Sequence, residues 1–209
     1  MTARRPLPSR SGPPESSGRS PSRPNQTGRR PPGKPSGRTS RPRPSNEQTR
    51  PDPSRRAAYD LLHTVAADDA YANLAMPSIL ASAGLSGRDA GFATELAFGT
   101  LRQRALLDEV LAQCVNRPLD RLDPRLLDVL RLGAFQLLFM RVPAHAGVGE
   151  TVTLARDVAG QGPASLANAV LRKVAARPVD AWLTTLTPTR ADDVVGHLAV
   201  RRSHPRWIV

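Results

Sequence analysis

Four histidines and one cysteine are the first side chains of this 209-residue sequence to test as metal ligands or, for the thiol, as a nucleophile. His63, His145, His197 and His204 show no paired spacing with Asp, Glu or Cys of the kind a metal site needs. Cys114 is alone, so the chain can form no internal disulfide and no Cys-based metal site. It falls beside Val110 and Leu111 on an amphipathic helix face, where a thiol is expected to act as a small buried hydrophobe. The chemistry that remains is cationic. Arg55 and Arg56 stand in the first turn of a predicted helix, where the macrodipole disfavours positive charge and a bound phosphate would relieve it. Arg172 and Lys173 stand in a last turn, where cations stabilise the helix and no ligand is needed to explain them. Asn168 lies among Leu166, Val170, Leu171 and Val174, and is expected to cap or bridge backbone within the fold.

The elements that position these residues divide sharply by charge. Residues 1–56 carry 14 Arg/Lys against Glu15, Glu47 and Asp52, whereas the remaining 153 residues carry 16 against 15 acids, so the pI near 11.4 belongs to a tail. Thirteen of the 21 prolines precede Arg56, and the first aromatic residue is Tyr59. With almost nothing to bury, residues 1–53 are expected to be a disordered, Pro/Arg/Ser-rich basic tail. Two readings of it remain open. One is an arm whose guanidinium groups pair with nucleic-acid phosphates. The other is a solubilising extension; only Lys34 and Lys173 are lysine, as codon bias alone would also give. The tail is no signal peptide, because no apolar stretch follows its charges. No apolar run reaches a membrane-spanning length, and a soluble, cytoplasmic protein is expected.

From Ser54 onward the periodicity is helical. Ser54 is expected to cap a helix whose Ala58, Leu61, Leu62 and Val65 share a face. A shorter helix is expected over Leu74 to Ala83, stopped at Gly84. Ser86-Gly87-Arg88-Asp89 has the form of a capping box opening a helix with Phe92, Leu96, Ala97 and Leu101 inside. Leu107, Val110, Leu111 and Cys114 mark the next, ending by Arg117-Pro118. Asp123-Pro124 reads as an N-cap followed by proline at the first helical position. The helix it opens, to about Met140, is apolar on most sides and belongs at the centre of a bundle. Helices from about Ala144 to Ala159 and from Pro163 to Ala176 complete an all-α fold.

These residues carry a resemblance. Arg88-Asp89 with Glu95-Leu96-Ala97-Phe98-Gly99-Thr100-Leu101-Arg102 resembles the R-D…E-L-x-x-G-x-x-R pattern of the NusB-like helical domain, as does Leu130-Arg131-Leu132-Gly133-Ala134-Phe135-Gln136. Val142-Pro143, Glu150 and Asn168-Ala169-Val170-Leu171-Arg172 are similar to its V-P…E…N-x-V-L-R block. The resemblance implies a NusB-like RNA-binding domain at residues 54–177, with RNA contacts at its Arg-rich start: Arg50, Arg55 and Arg56.

Two kinds of member fit. One is the amino-terminal domain of the RsmB (Sun, Fmu) methyltransferases, which make 5-methylcytosine in 16S ribosomal RNA. Ala144-His145-Ala146 and Ser203-His204-Pro205-Arg206-Trp207 are similar to those enzymes. The other is the free NusB transcription antitermination factor, which binds single-stranded RNA with ribosomal proteins; it usually has Asn where this chain has Gly149. On the first reading, residues 178–209 are a linker and the start of a catalytic domain. That domain, not this chain, would bring S-adenosylmethionine and paired cysteines. The chain as given is then expected to be no enzyme, to hold no cofactor, and to have ribosomal RNA, a ribosomal protein or the catalytic half as partners. Ser203 to Val209 are expected to pack poorly on the bundle.

Overall fold

Every regular element among the described residues is a helix. The structure, a computed structural model, describes residues 50–68, 70–204 and 207–208. The disordered tail expected over residues 1–53 therefore lies, up to residue 49, outside the described residues.

The order is α1 (Pro53–Asp68), α2 (Ala72–Ser82), α3 (Gly87–Arg102), α4 (Arg104–Cys114), a one-turn 3-10 helix (Leu119–Arg121), α5 (Pro124–Phe139), α6 (Ala144–Ala159), α7 (Gln161–Ala175), α8 (Val179–Leu186) and α9 (Val194–Arg202). As its composition requires, α5 is central. It packs against α1, α3, α4, α6 and α7, burying Leu126, Val129, Leu130, Leu132, Ala134 and Phe135. Leu61, Leu96, Leu107, Leu111 and Leu171 meet it from the surrounding helices, all fully buried. Asp123 opens α5 as expected, its carboxylate accepting the Arg125 N–H at 2.9 Å.

Three expectations need correction. The cap of α1 is Asp52, not Ser54: Asp52 Oδ1 accepts the Arg55 N–H at 3.0 Å, and Ser54 is buried inside the helix. Asp52-Pro53 is the same device as Asp123-Pro124, with proline at the first position where no N–H is needed. Ser86 does precede α3, but its side chain makes no capping bond, and Asp89 is exposed. α7 begins at Gln161 rather than Pro163, because the break is made by Gly160 alone at φ 96°; proline is tolerated within a first turn.

Residues 178–209 were expected as a linker and the start of a catalytic domain. They hold α8 and α9, which contact α4 and each other. Trp182 is buried, its indole N–H donating to Val174 O at 3.2 Å, with the Arg177 guanidinium 5.2 Å from the ring centroid. Ser203 is buried as well. Poor packing was expected from Ser203 to Val209; Ser203 departs from it, while Trp207 and Ile208 are 84% and 55% exposed.

Two glycines of the sequence motifs mark helix contacts too close for a side chain. A Cβ on Gly99 would stand 2.0 Å from the Phe135 ring, and one on Gly133 would stand 2.7 Å from a Leu171 methyl. They let α3 and α7 approach α5, which sets the angle at which the outer helices present their polar faces.

Candidate nucleic-acid interface

The three arginines expected to touch RNA have different surroundings. Arg50 is exposed, just ahead of α1. The Arg55 side chain is turned inward and only 12% exposed. Its Nε donates to Gln136 Oε1 at 2.9 Å, its Nη1 pairs with Asp52 at 3.1 Å, and its guanidinium lies 4.9 Å from the Phe92 ring centroid. Gln136 is itself buried and passes the chain of bonds on, donating to Thr151 Oγ1 and to Leu132 O. Thr151 donates in turn to Gly147 O at 2.6 Å. Arg55 thus terminates a polar relay through α1, α5 and α6. The helix-end repulsion inferred from sequence is already offset by the Asp52 carboxylate at the cap.

Arg56 is the exposed member of the pair. Its Nε donates to Asp60 at 2.9 Å and its Nη1 pairs with Asp157 of α6. Burial works to lower its pKa, but the hydrogen bond and charge of Asp60, with Asp157, raise it. Its guanidinium lies 5.7 Å from the Tyr59 ring centroid, and Tyr59 stacks on His63. With Asp60, Ser78, Ile79, Ser82 and Ala83, Arg56 lines an open depression of about 440 Å³ between α1 and α2.

A second depression, of about 480 Å³, lies between α6 and α7. Asn168, His145 and Arg172 line it together with small side chains. Asn168 is half-buried and accepts from Arg172 Nε at 3.2 Å. The backbone bridge expected of it is not what its oxygen makes. Lys173 instead serves structure, as expected for a last-turn cation: its Nζ donates to Cys114 O, the carbonyl closing α4. Cys114 is buried, and burial pushes its thiol pKa up against the opposing charge of Lys173. A thiol held protonated in this way is a poor nucleophile. Among the described residues no group of three His, Cys, Asp or Glu is placed to hold a metal, and no helix is long and apolar enough to cross a membrane.

Sequence reasoning passed over the most buried charges. Arg131 of α5 grips Asp108 of α4 with two bonds, Nε at 2.7 Å and Nη2 at 2.8 Å, and donates from Nη1 to Asp128 at 3.0 Å. The Arg131 and Asp128 side chains are 9% and 6% exposed. Burial raises the Asp128 pKa above the ordinary carboxylate value of 3.8, with Arg131 opposing. The signal was available as an opposite-charge pair three residues apart on a mostly apolar helix.

Comparison with known proteins matches the bundle to a family. The model of the NusB family matches residues 52–176. A Mycobacterium tuberculosis (strain H37Rv) protein that carries a methyltransferase name is 48% identical over 155 residues, which is 74% of this chain and 34% of that protein. The ribosomal RNA small subunit methyltransferase B of Pseudomonas putida is 36% identical over 154 residues, 74% of this chain and 33% of that enzyme. This chain thus spans about a third of the length of these relatives. Among solved structures, a chain in the crystal structure of a plectonemic RNA supercoil superposes with a TM-score of 0.55 at 19% identity, over 64% of this chain and 96% of that one, which shows the shared fold. With the central α5, its close-packed glycines and the motif blocks all inside the matched span, the chain belongs to the NusB family.

Proposed function

We propose that this chain is the RNA-binding NusB-family domain of an rRNA cytosine-5 methyltransferase, docking and orienting 16S ribosomal RNA for methyl transfer carried out by a catalytic half. The observation that carries the reading is the extent of the similarity: it runs over 155 residues of the methyltransferase relatives, beyond the family span of residues 52–176. The domain's part is to bind. Exposed Arg50 and Arg56, which belong to the strongly basic first 56 residues, offer guanidinium groups to phosphates, and the Pseudomonas putida relative carries ribosomal RNA in its name. Arg55 supports the site indirectly, holding α1 to α5 through Gln136.

S-adenosylmethionine would supply the methyl group in the catalytic half. What supports assigning it there is that every regular element among the described residues is a helix, with no strand among them to carry a Gly-rich cofactor turn. On this reading the chain alone is no enzyme and works in the cytoplasm. Membership of the NusB family also favours a second reading, a free antitermination factor acting with a ribosomal protein.

The test is binding of the full chain to single-stranded and helical fragments of 16S rRNA across a salt series, beside a chain lacking residues 1–50. We expect the deletion to leave cooperative unfolding unchanged. It should weaken binding and flatten the log–log salt slope by about 0.7 for each single-strand phosphate that the shortened chain no longer neutralises. Equal affinity for an unrelated polyanion would defeat the ribosomal assignment. Methyl transfer from S-adenosylmethionine by this chain alone would defeat the division of labour. Tighter binding to a short antitermination RNA in the presence of a ribosomal protein would favour the free factor.

A further inference from the structure

We propose that Ser203 is a latch: its hydroxyl caps α4 from 97 residues away and thereby ties the end of α9 to the start of α4. Ser203 closes α9 in the left-handed conformation, at φ 53° and ψ 44°, and no other described non-glycine residue has a positive φ. Glycine is the residue that ordinarily takes this place, because it has no Cβ to crowd the backbone. The closing bonds, Ser203 N–H to Val200 O at 3.3 Å and His204 N–H to Ala199 O at 3.0 Å, are backbone bonds that glycine would make equally well. They give no reason for a serine.

The reason lies on α4. The first turn of a helix leaves its N–H groups without intrahelical acceptors, and Gln103, ahead of α4, makes no side-chain cap. Leu107 N–H reaches Gln103 O, but Leu106 N–H precedes that ladder. Leu106 is 3% exposed, so water is a poor substitute. Ser203 Oγ accepts its proton at 3.1 Å, in a buried contact. A residue in a costly conformation persists where its surroundings require it, and here the requirement is a hydroxyl at that one position.

α4 is a firm mount for such a contact. Its middle is held by Arg131 through Asp108, and its last carbonyl by Lys173. Docking of the end of α9 and fraying of the α4 N-terminus are therefore coupled through one hydrogen bond. His204, next to the latch, is exposed, as are Trp207 and Ile208. This inference does not depend on the RNA reading.

Amide hydrogen exchange on the full chain, with Ser203→Gly and Ser203→Ala, tests it. Glycine removes the hydroxyl and relieves the backbone; alanine removes the hydroxyl and keeps the strain. The latch requires that both variants lower protection of the Leu106 amide by roughly five-fold or more, the change expected when a cap is removed. Protection of the Leu130 and Leu132 amides in α5 should stay unchanged, and cleavage by added protease between residues 187 and 193 should quicken in both. Retained Leu106 protection in either variant would overturn the latch and leave Ser203 as a C-cap of α9 alone. Loss spread evenly into α5 would overturn it too, showing general destabilisation.

Discussion

Arg131 in the middle of α5 and Arg56 in the first turn of α1 each sit between two aspartates, yet their side chains are 9% and 45% exposed. The chemistry of the two networks is the same and their consequences are opposite. In the interior, releasing Arg131 would strand the Asp128 carboxylate away from water, so the pairing is fixed. At the surface, Asp60 and Asp157 are about as exposed as Arg56 itself. Such pairs contribute only about 0–1 kcal/mol, and a phosphate can replace a carboxylate at small cost. Burial, not residue type, separates an arginine that builds the fold from one that can meet a ligand.

The most severe way to break this comparison is Arg131→Met, which keeps the volume and strips Asp128 of its partner. We expect a loss of about 3–5 kcal/mol in denaturant unfolding; a loss under about 1 kcal/mol would put the two networks on a par. Asp128→Asn sharpens it through pH. Because burial raises the Asp128 pKa above 3.8, the folded state holds a proton that the unfolded state has released within the window between the two values. Its contribution to stability must therefore fall as pH rises through that window. The Asn variant should lack that slope, and an unaltered stability–pH profile would contradict the assignment.

Next in size is the close packing around α5. Gly99→Ala pushes a methyl into the Phe135 ring and should cost about 1–3 kcal/mol. The helix-propensity gain of roughly 1 kcal/mol applies at both positions, but Gly133→Ala should cost less, since it meets Leu171 and Thr151 methyls at 2.7 Å or more rather than a ring at 2.0 Å. A reversal of that order in thermal melts would show that the aromatic contact yields more easily than its geometry implies.

Asp123→Ala removes the α5 cap and should cost about 1 kcal/mol. Its sign with pH is opposite to that of Asp128: the hydrogen bond from the Arg125 side chain holds its carboxyl below the ordinary value, so its contribution is present above 3.8 and lost as pH falls through the lowered value. A variant as stable as the parent at neutral pH would show that Pro124 alone starts the helix.

The smallest effect on stability is expected from Arg56→Ala, about 1 kcal/mol or less, with RNA affinity reduced and the salt slope about 0.7 smaller. Unchanged RNA binding together with a large drop in melting temperature would erase the distinction between the two networks.

Much of the fold was legible because it depends on local pattern. The apolar circumference of α5 placed it at the centre, Asp123-Pro124 located its start, the Cys114 position beside Val110 and Leu111 marked a buried thiol, and Gly160 divided α6 from α7. The motif blocks, taken in order, named the family. Less of the interface was legible. Ser54 and Asp52 are both competent caps two residues apart, and which carboxylate or hydroxyl faces the open N–H groups depends on the backbone path into the helix. Ser86 shows the converse, a capping sequence whose bond is not made.

Composition and period were enough for the sequence by itself to determine a basic extension, helices of given length, and an inside and an outside for each. Only the tertiary structure decided which way a side chain between those faces would turn. Arg55 and Arg56 are adjacent and alike, yet the helix's rotation of about 100° per residue aims one at Gln136 across α5 and leaves the other at the surface. Gly99 and Gly133 became necessary only when Phe135 and Leu171 arrived from elsewhere in the chain. Trp182 and Ser203 pack because their partners, Val174 O and Leu106 N–H, are the groups those side chains satisfy. Partners brought together from distant positions leave no periodic trace, and burial makes their hydrogen bonds obligatory.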